Sequence, residues 1–338
     1  MSYRGPTQAL AWLYHPDSLT KGLVFGTGFG WLCVWTLDET ETERKFQEVY
    51  CVRLQGGPGS SGREIVSLAY DALKSQLAVA HGSVVIHVFN LNRQFIPESR
   101  PDPAFTSISI PDHHPVGIFF GREQAEGRLV WSVGRDDGRI IMMSNNRLLI
   151  EQDEATGLAI GAACISPEQD TLVVDDVAQG PSLFRLSDDG IAFLKNLPIP
   201  SNGEIPRSVQ FHLESSTAVV TGSSHGRVYI LDRPTAAEID ILETGKASPV
   251  QVVDAGRDDG GAAIIVCSHS DEHARENELQ LWKRRGAETF IGQAPVRIAS
   301  TTASSRSGTT FNVLLGAFVF LLALHVKDQI VGWSQPSV

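Results

Sequence analysis

A short glycine turn between two apolar strands recurs along the chain, and this repeat constrains the fold more than any other feature. Three examples are GTGFGWLCVW from Gly26, GRDDGRIIMM from Gly134 and GSSHGRVYIL from Gly222. Each is preceded by an apolar run: LVF, LVWSV and AVVT, respectively. A phosphate-binding glycine loop occurs once and opens a helix, whereas this one recurs and leads into a strand each time. The glycines therefore indicate the turns of β-hairpins.

Each hairpin is preceded by another apolar strand and followed by a more polar one, which makes a unit of four strands. The preceding strands begin near Ala9, Ile65, Val116, Ala159, Arg207 and Pro249. The polar strands include FQEVYCVRL from Phe46 and EIDILET from Glu238. Three less regular hairpins, QLAVAHGSVVIHVFNL, TLVVDDVAQGPSLFRL and AAIIVCSHSDEHARENELQLWKR, bring the number of units to six.

The bulky residues that end the third strands are regularly spaced. They are Trp35, Phe89, Met142, Phe184, Ile230 and Trp282, which lie 54, 53, 42, 46 and 52 residues apart. Four strands repeated at this period predict an all-β fold, a β-propeller of six recognisable four-stranded blades.

The sequence resembles the WD40 repeat family, and within it a divergent, uncharacterised group of fungal WD40-like proteins. The segments that carry the resemblance are RGPTQALAW, LVFGTGFGWLCVW, TLVVDDVAQGPSLFRL and TGSSHGRVYILDR, and it covers about residues 4–285. Members of this family end the third strand in Trp-Asp and open each repeat with Gly-His. Here only Trp35 and Trp282 match, followed by Thr36 and Lys283, and Gly-His is absent at the equivalent places. The resemblance implies a propeller over residues 1–298, but not the buried Asp-His-Ser-Trp hydrogen-bond network of standard repeats.

Closure of the ring is open to two interpretations. Most WD40 relatives have seven blades, and in many of them an N-terminal strand completes the last blade and removes the free sheet edge. Here the first strand begins by Ala9, which leaves few residues ahead of it. The chain is either a six-bladed ring without such a strap or a truncated or degenerate seven-bladed ring. The resemblance favours the second, because in that group the RGP-x-x-A-L-A-W segment follows earlier repeats.

The last 40 residues differ in character from the repeats. Residues 299–310 contain eight Ser or Thr in twelve, which indicates a linker. The segment FNVLLGAFVFLLALHV, from Phe311 to Val326, is apolar, and a short polar tail, 327–338, follows. As a helix this segment is about 24 Å long against a hydrocarbon core of about 30 Å. We predict a transmembrane tail anchor; the alternative is a degenerate seventh blade docked on the propeller. The preceding basic residues place the propeller in the cytosol: Lys283, Arg284, Arg285, Arg297 and Arg306.

Composition and motifs argue against several other classes. A net charge of -11 disfavours nucleic-acid binding. The four cysteines, Cys33, Cys51, Cys164 and Cys267, form no C-x-x-C pair and lie in apolar runs, which predicts buried, reduced thiols. Three D-D-G triplets lack the further ligands of a calcium loop and indicate turns. The adjacent His113 and His114 indicate a loop before a blade. We predict no metal and no cofactor.

These observations together predict a non-enzymatic protein–protein interaction scaffold, cytoplasmic and tethered to a membrane. Propellers of this family bind partners through the turns at one face of the ring. The candidate partner-binding turn residues are Phe29, His81, Asp136, Asp137 and His225. An alternative is a membrane-anchored guanine-nucleotide exchange factor for a small GTPase, whose projecting loop would be the insertion 271–277. A third, an enzyme in the ring channel, needs convergent carboxylates or histidines on the first strands, which offer mainly Ala, Val, Ile and Ser.

Overall fold

The structure is a computed structural model. It describes residues 2–16, 20–39, 44–54, 64–82, 85–98, 105–124, 127–144, 148–188, 190–200, 205–212, 216–257, 261–269, 276–284, 290–293 and 296–299. In this part of the chain, six antiparallel sheets follow one another in sequence; each has four strands in consecutive order, and the last has a fifth strand as well. The predicted all-β propeller of six four-stranded blades is thus confirmed.

The strands are numbered in chain order, and a 3-10 helix, Ser2–Arg4, precedes them. Blade 1 contains β1 (Thr7–Tyr14), β2 (Lys21–Thr27), β3 (Trp31–Glu39) and β4 (Arg44–Arg53). Blade 2 contains β5 (Ile65–Asp71), β6 (Gln76–His81), β7 (Val85–Asn90) and β8 (Phe105–Ser109). Blade 3 contains β9 (Pro115–Gln124), β10 (Gly127–Gly134), β11 (Arg139–Ser144) and β12 (Ile150–Ala155).

Blade 4 contains β13 (Ile160–Ile165), β14 (Thr171–Asp176), β15 (Gly180–Ser187) and β16 (Gly190–Asn196). Blade 5 contains β17 (Val209–Phe211), β18 (Ala218–Thr221), β19 (Arg227–Asp232) and β20 (Glu238–Glu243). Blade 6 contains β21 (Val250–Arg257), β22 (Ala263–His269), β23 (Glu276–Arg284) and β24 (Ile291–Gly292), and β25 (Val296–Ala299) also pairs with β23.

The chain divides into two compact units. The first consists of Met1–Ile160 with Leu186–Ile191, and the second of Gly161–Arg185 with Ala192–Val338. Blades 1 to 3 lie in the first unit, and blades 4 to 6 lie almost wholly in the second.

Within each unit the apolar core lies between successive sheets. In β6, Leu77 and Val79 belong to the core shared with blade 1, whereas Ala78 between them belongs to the core shared with blade 3. In β18, Val219 contacts the blade 4 core and Val220 the blade 6 core. Successive side chains of a strand point to opposite faces, so a strand covered on both faces is apolar throughout. This is why second strands such as β6 (QLAVAH) and β18 (AVVT) are mostly apolar while an outer strand such as β12 (IEQDEA) is polar.

The apolar tail falls outside the part of the chain that the structure describes. Among the described residues, no helix has the length and apolarity needed to cross a bilayer. The segment Phe311–Val326, predicted as a membrane anchor, is not among those residues, nor are the linker 299–310, apart from Ala299, and the tail 327–338. The membrane anchor therefore stays a prediction.

Candidate interaction surfaces

Four of the five candidate residues lie in turns between the second and third strands of a blade. Phe29 lies in the turn between β2 and β3, Asp136 and Asp137 lie in the turn between β10 and β11, and His225 lies in the turn between β18 and β19. We call this end of each blade its upper end. Sequence reasoning located these turns correctly because their glycines adopt positive φ, as at Gly30 (80°), Gly138 (58°) and Gly226 (82°).

His81 is placed differently. It is the last residue of β6 and is fully buried, so its side chain does not lie at the surface. Its ring centroid lies 5.8 Å from that of His87 on the paired strand β7. Burial, and secondarily His81, lower the pKa of His87 to about 4. Both histidines belong to the interior of blade 2, and the surface role predicted for His81 has no support in this geometry.

A buried hydrogen-bond network holds the upper turn of blade 3. His113 Nδ1 lies 2.7 Å from Asp137 Oδ2, and its Nε2 lies 2.8 Å from Ser132 Oγ. Burial lowers the pKa of His113, and Asp137 opposes this effect. A neutral ring donates from Nδ1 to the carboxylate and accepts the Ser132 hydroxyl proton at Nε2. The network fixes the turn that displays Asp136, which is exposed.

This network is a part of the standard WD40 repeat that the sequence alone did not establish. Ser132 lies in β10, Asp137 in the following turn and His113 in the connection into β9, which confirms that His113 precedes a blade. Met142 occupies the position at which standard repeats carry the tryptophan. Three residues of the sequence could have predicted this network: Asp137 in the G-R-D-D-G turn, Ser132 in the strand before it, and His113 ahead of the blade. His113 was missed because it does not belong to a Gly-His dipeptide.

An exposed aromatic patch lies at the upper end of blade 1. Tyr3 is 64% exposed and Phe29 is 48% exposed. Tyr3 meets Trp31 edge to face with the ring centroids 6.1 Å apart. The Arg4 guanidinium carbon lies 5.3 Å from the Tyr3 centroid and 5.7 Å from the Trp31 centroid. We refer to Tyr3, Arg4, Phe29 and Trp31 as the aromatic patch.

Hydrogen bonds hold the aromatic patch in place. Gly28 N donates to Pro6 O at 2.8 Å, so the N-terminal segment is tied to the upper turn. Thr27 Oγ1 accepts from Trp31 N at 3.1 Å. The exposed Arg53 donates from Nε to Phe29 O at 3.2 Å, which places a second cation next to the backbone of the upper turn. The patch is therefore preorganised, which reduces the entropy lost on binding.

His225 lines a cavity of about 540 Å³ at the upper end of blade 5. The other lining residues are Pro200, Arg227, Glu243, Gly245, Lys246 and Ala247. Each cation has a carboxylate partner: Arg227 Nε lies 2.8 Å from Glu243 Oε1, and Lys246 Nζ lies 2.6 Å from Glu278 Oε2. Because these charges are already paired, the cavity has no excess positive charge for an anionic ligand.

The first strands of blades 4 to 6 bring a small polar group together. Cys164 Sγ donates to Gln210 Oε1 at 3.1 Å, and Asp254 lies close enough to raise the pKa of that thiol further. Burial is the main cause and raises the pKa of Cys164 to about 12. Burial likewise raises the pKa of Asp254 to about 6. A thiol that stays protonated is not a nucleophile, and β13, β17 and β21 contain no histidine or lysine to act as a base.

The cysteines differ in part from the prediction of four buried thiols. All four are free, and Cys33 and Cys267 are buried, but Cys51 and Cys164 are half-buried. Cys33 and Cys51 lie side by side, and the carboxylate of Glu48 completes a group whose ligand atoms are within 4.8 Å of one another. Cys33 and Cys51 are 18 positions apart, so no local sequence pattern predicts their contact.

Comparison with known proteins identifies the fold but no relative of established function. No protein-family model matches the sequence, and no curated protein is significantly similar to it. Among solved structures, the chain is similar to the WD40 β-propeller domain of Doa1, with a TM-score of 0.58 and 14% sequence identity. The match covers 86% of this chain and 82% of that one. The chain has the fold of a WD40-type β-propeller.

Proposed function

We propose that this protein is a non-enzymatic interaction scaffold that binds a protein partner through the aromatic patch of blade 1. The observation that carries the proposal is the exposure of Tyr3 and Phe29 beside the cation of Arg4. Tyrosine, tryptophan and arginine are the residues most enriched among those that dominate binding energy at protein interfaces. The WD40-type fold supports the same function class, since its upper turns are displayed on a rigid frame.

The charges around the aromatic patch indicate what the partner presents. Arg4 is paired with Glu48, whereas the exposed Arg53 donates its Nε to the backbone oxygen of Phe29. An apolar side chain packing on Phe29 and Tyr3, flanked by a carboxylate near Arg53, fits this arrangement. The proposed partner surface is therefore apolar with an acidic rim.

The first experiment compares partner capture by the wild-type chain and by Tyr3→Ala/Phe29→Ala. The control is Leu73→Ala, because Leu73 is 67% exposed but lies between β5 and β6, at the other end of a blade. Proteins captured by the wild-type chain are quantified by mass spectrometry, and their affinities are measured with purified components. We expect a tenfold or greater loss of affinity in the double variant, since truncating one central interface residue costs more than about 1 kcal/mol. Equal affinities for the double variant and the wild type would refute the role of the patch.

The protonated state of the Cys164 thiol supports the non-enzymatic part of the proposal. Among the described first-strand residues of blades 4 to 6, the side chains that converge are Cys164, Gln210 and Asp254. Burial raises the pKa of Cys164 to about 12, so the thiol stays protonated at neutral pH and is a poor nucleophile even beside the Asp254 carboxyl. The exchange-factor alternative rests on the insertion 271–277, of which 271–275 lie outside the described residues, and no contact among the described residues favours it.

A membrane tether is the second part of the proposal, and it rests on the sequence of Phe311–Val326. Its test is fractionation of cells that express residues 1–338 or 1–298, followed by an alkaline carbonate wash. We expect the full chain in the membrane pellet and the truncated chain in the supernatant. Solubility of both chains would contradict the tether, and aggregation of the truncated chain would show that the tail belongs to the fold.

A further inference from the structure

Cys33 in β3 and Cys51 in β4 face each other directly. They are paired in register, and their Sγ atoms lie 2.8 Å apart. Three pairs before the cysteines, Gly30 lies opposite Leu54, and Leu54 N donates to Gly30 O at 2.9 Å. Gly30 and Leu54 are therefore a hydrogen-bonded pair. Pairing continues without a register shift through the next three pairs, and hydrogen-bonded and non-hydrogen-bonded pairs alternate in antiparallel sheets. Cys33 and Cys51 therefore form a non-hydrogen-bonded pair.

That position suits a covalent bridge between the strands. In a non-hydrogen-bonded pair the Cα atoms are about 4.5 Å apart, and the side chains lie closer together than in the alternate pair. A disulfide requires Cα atoms about 4.4–6.8 Å apart and Cβ atoms about 3.5–4.5 Å apart. The backbone therefore does not need to move for the two sulfur atoms to bond.

The two thiols differ in access. Cys33 is fully buried, whereas Cys51 is half-buried on the outer strand of the blade. Burial, followed by the hydrogen bond with Cys51, raises the pKa of the Cys33 thiol, and the charge of Arg4 opposes this rise. Cys51 is thus the thiol that a dissolved reagent reaches first, and Cys33 is the resolving partner behind it.

The neighbouring ion pair favours a disulfide over a metal ion. Arg4 Nη1 lies 3.5 Å from Cys33 Sγ, and Arg4 also donates to both carboxylate oxygens of Glu48. These hydrogen bonds lower the pKa of Glu48 and occupy its lone pairs. A cation that used Glu48 as a third ligand would have to displace the guanidinium and would be repelled by its charge.

We propose that Cys33 and Cys51 form a reversible disulfide by exchange with a small dissolved disulfide such as oxidised glutathione. Cys51 loses its proton to solvent and attacks one glutathione sulfur, which releases the first glutathione thiolate. Cys33 then loses its proton and attacks the Cys51 sulfur, the mixed disulfide breaks, and the second glutathione leaves. The protein loses two protons and two electrons in total, and one oxidised glutathione becomes two reduced molecules. This site does not depend on the proposed binding function of blade 1.

The test is a thiol count on the full chain. Protein purified in reductant is equilibrated with glutathione at several ratios of oxidised to reduced form, denatured in an alkylating agent and weighed by mass spectrometry. Reduced protein carries four alkylatable thiols. We expect the count to fall by two on oxidation, with Cys33 and Cys51 in one cross-linked peptide and full recovery in reductant. Wild-type protein that keeps every thiol in excess oxidised glutathione would overturn the proposal.

Variants assign the bridge to this pair. Cys164→Ala is the control and should still lose two thiols, because Cys164 bonds to Gln210 and lies in another blade. Cys51→Ser should lose none to an internal bridge. A disulfide that joins two protein molecules would contradict the proposal. So would thiols that Zn²⁺ protects from alkylation but that oxidised glutathione leaves reduced. The wild-type measurement tests the proposal even if Cys51→Ser does not fold.

Discussion

The buried ion pair between Asp175 and Arg207 gives the sharpest prediction for stability. Arg207 donates to Asp175 from its backbone N at 2.8 Å and from Nε at 3.0 Å, and its Nη2 lies 2.9 Å from Asp175 Oδ1 in an ion pair. Nη2 also donates to the backbone oxygens of Asp176 and Val177 at 2.9 and 3.1 Å. The two side chains are 0% and 1% exposed. Burial raises the pKa of Asp175 to about 6 while the charge of Arg207 holds it down, so the carboxylate is ionised at neutral pH.

Replacing Asp175 by alanine leaves a buried guanidinium without its counter-charge. Breaking a buried pair in this way costs about 3–5 kcal/mol, because the remaining charge is desolvated and uncompensated. One kcal/mol corresponds to about 2–4 °C in Tm for a domain of 150–250 residues. We therefore expect Asp175→Ala to lower the Tm of the full chain by about 6–20 °C.

The assay is thermal unfolding of the full chain, followed by circular dichroism and calorimetry. The control is Asp153→Ala, which breaks a pair with Arg139 whose side chains are 24% and 36% exposed and which should cost less than about 1 kcal/mol. Arg207→Met in the Asp175→Ala background should recover part of the loss, since it removes the unpaired charge. A Tm for Asp175→Ala equal to that of Asp153→Ala would refute this account of the pair.

Two further predictions concern single positions. At Gly226, φ is 82° and an added Cβ would lie 1.6 Å from Lys246 O, so Gly226→Ala should destabilise the protein by more than the ~1–2 kcal/mol of left-handed strain alone. The matched control is Gly245→Ala, where φ is 74° and the space around the Cβ position is open. Equal unfolding free energies for the two variants would contradict the clash. Burial raises the pKa of Asp254 from 3.8 to about 6, so the folded state binds the carboxyl proton of Asp254 more tightly than the unfolded state does. The free energy of unfolding therefore falls as the pH rises from about 4 to 6. At 1.36 kcal/mol per pH unit, the fall is up to ~3 kcal/mol. Asp254→Asn should remove this fall in urea titrations across that range, and a pH profile that the substitution leaves unchanged would contradict it.

The strands and upper turns could be predicted from the sequence because their signals are local. An apolar run, a glycine with positive φ and a second apolar run are adjacent in the chain, as at Gly30 and Gly226. The turn positions of Phe29 and His225 follow from this pattern alone. His81 resembled them because Gly82 follows it, yet it ends β6 inside the blade. Periodicity locates a turn within a residue or two, but it does not show which side chains the neighbouring sheets cover.

The contacts that distinguish one blade from another could not be predicted, because they join residues far apart in the chain. His113 and Asp137 are 24 residues apart, and Asp175 and Arg207 are 32 apart. Cys33 and Cys51 are 18 residues apart on neighbouring strands, and their contact depends on a register that a one-residue slip would abolish. Each contact needs the assembled sheets to bring its members together.

The connection that leads into a blade makes a polar contact in three places, and its chemistry differs each time. His113, before β9, bonds to Ser132 and Asp137, whereas Arg207, before β17, bonds to Asp175 of the preceding blade. Ser248, before β21, lies 3.1 Å from Nδ1 of His269 at the end of β22. The fold requires a satisfied polar contact where the chain enters a blade, but several pairs of residues can make it. The fold therefore tolerates the loss of the Gly-His motif. This accounts for a WD40-type propeller that shares 14% of its residues with a solved one and lacks the Gly-His and Trp-Asp dipeptides.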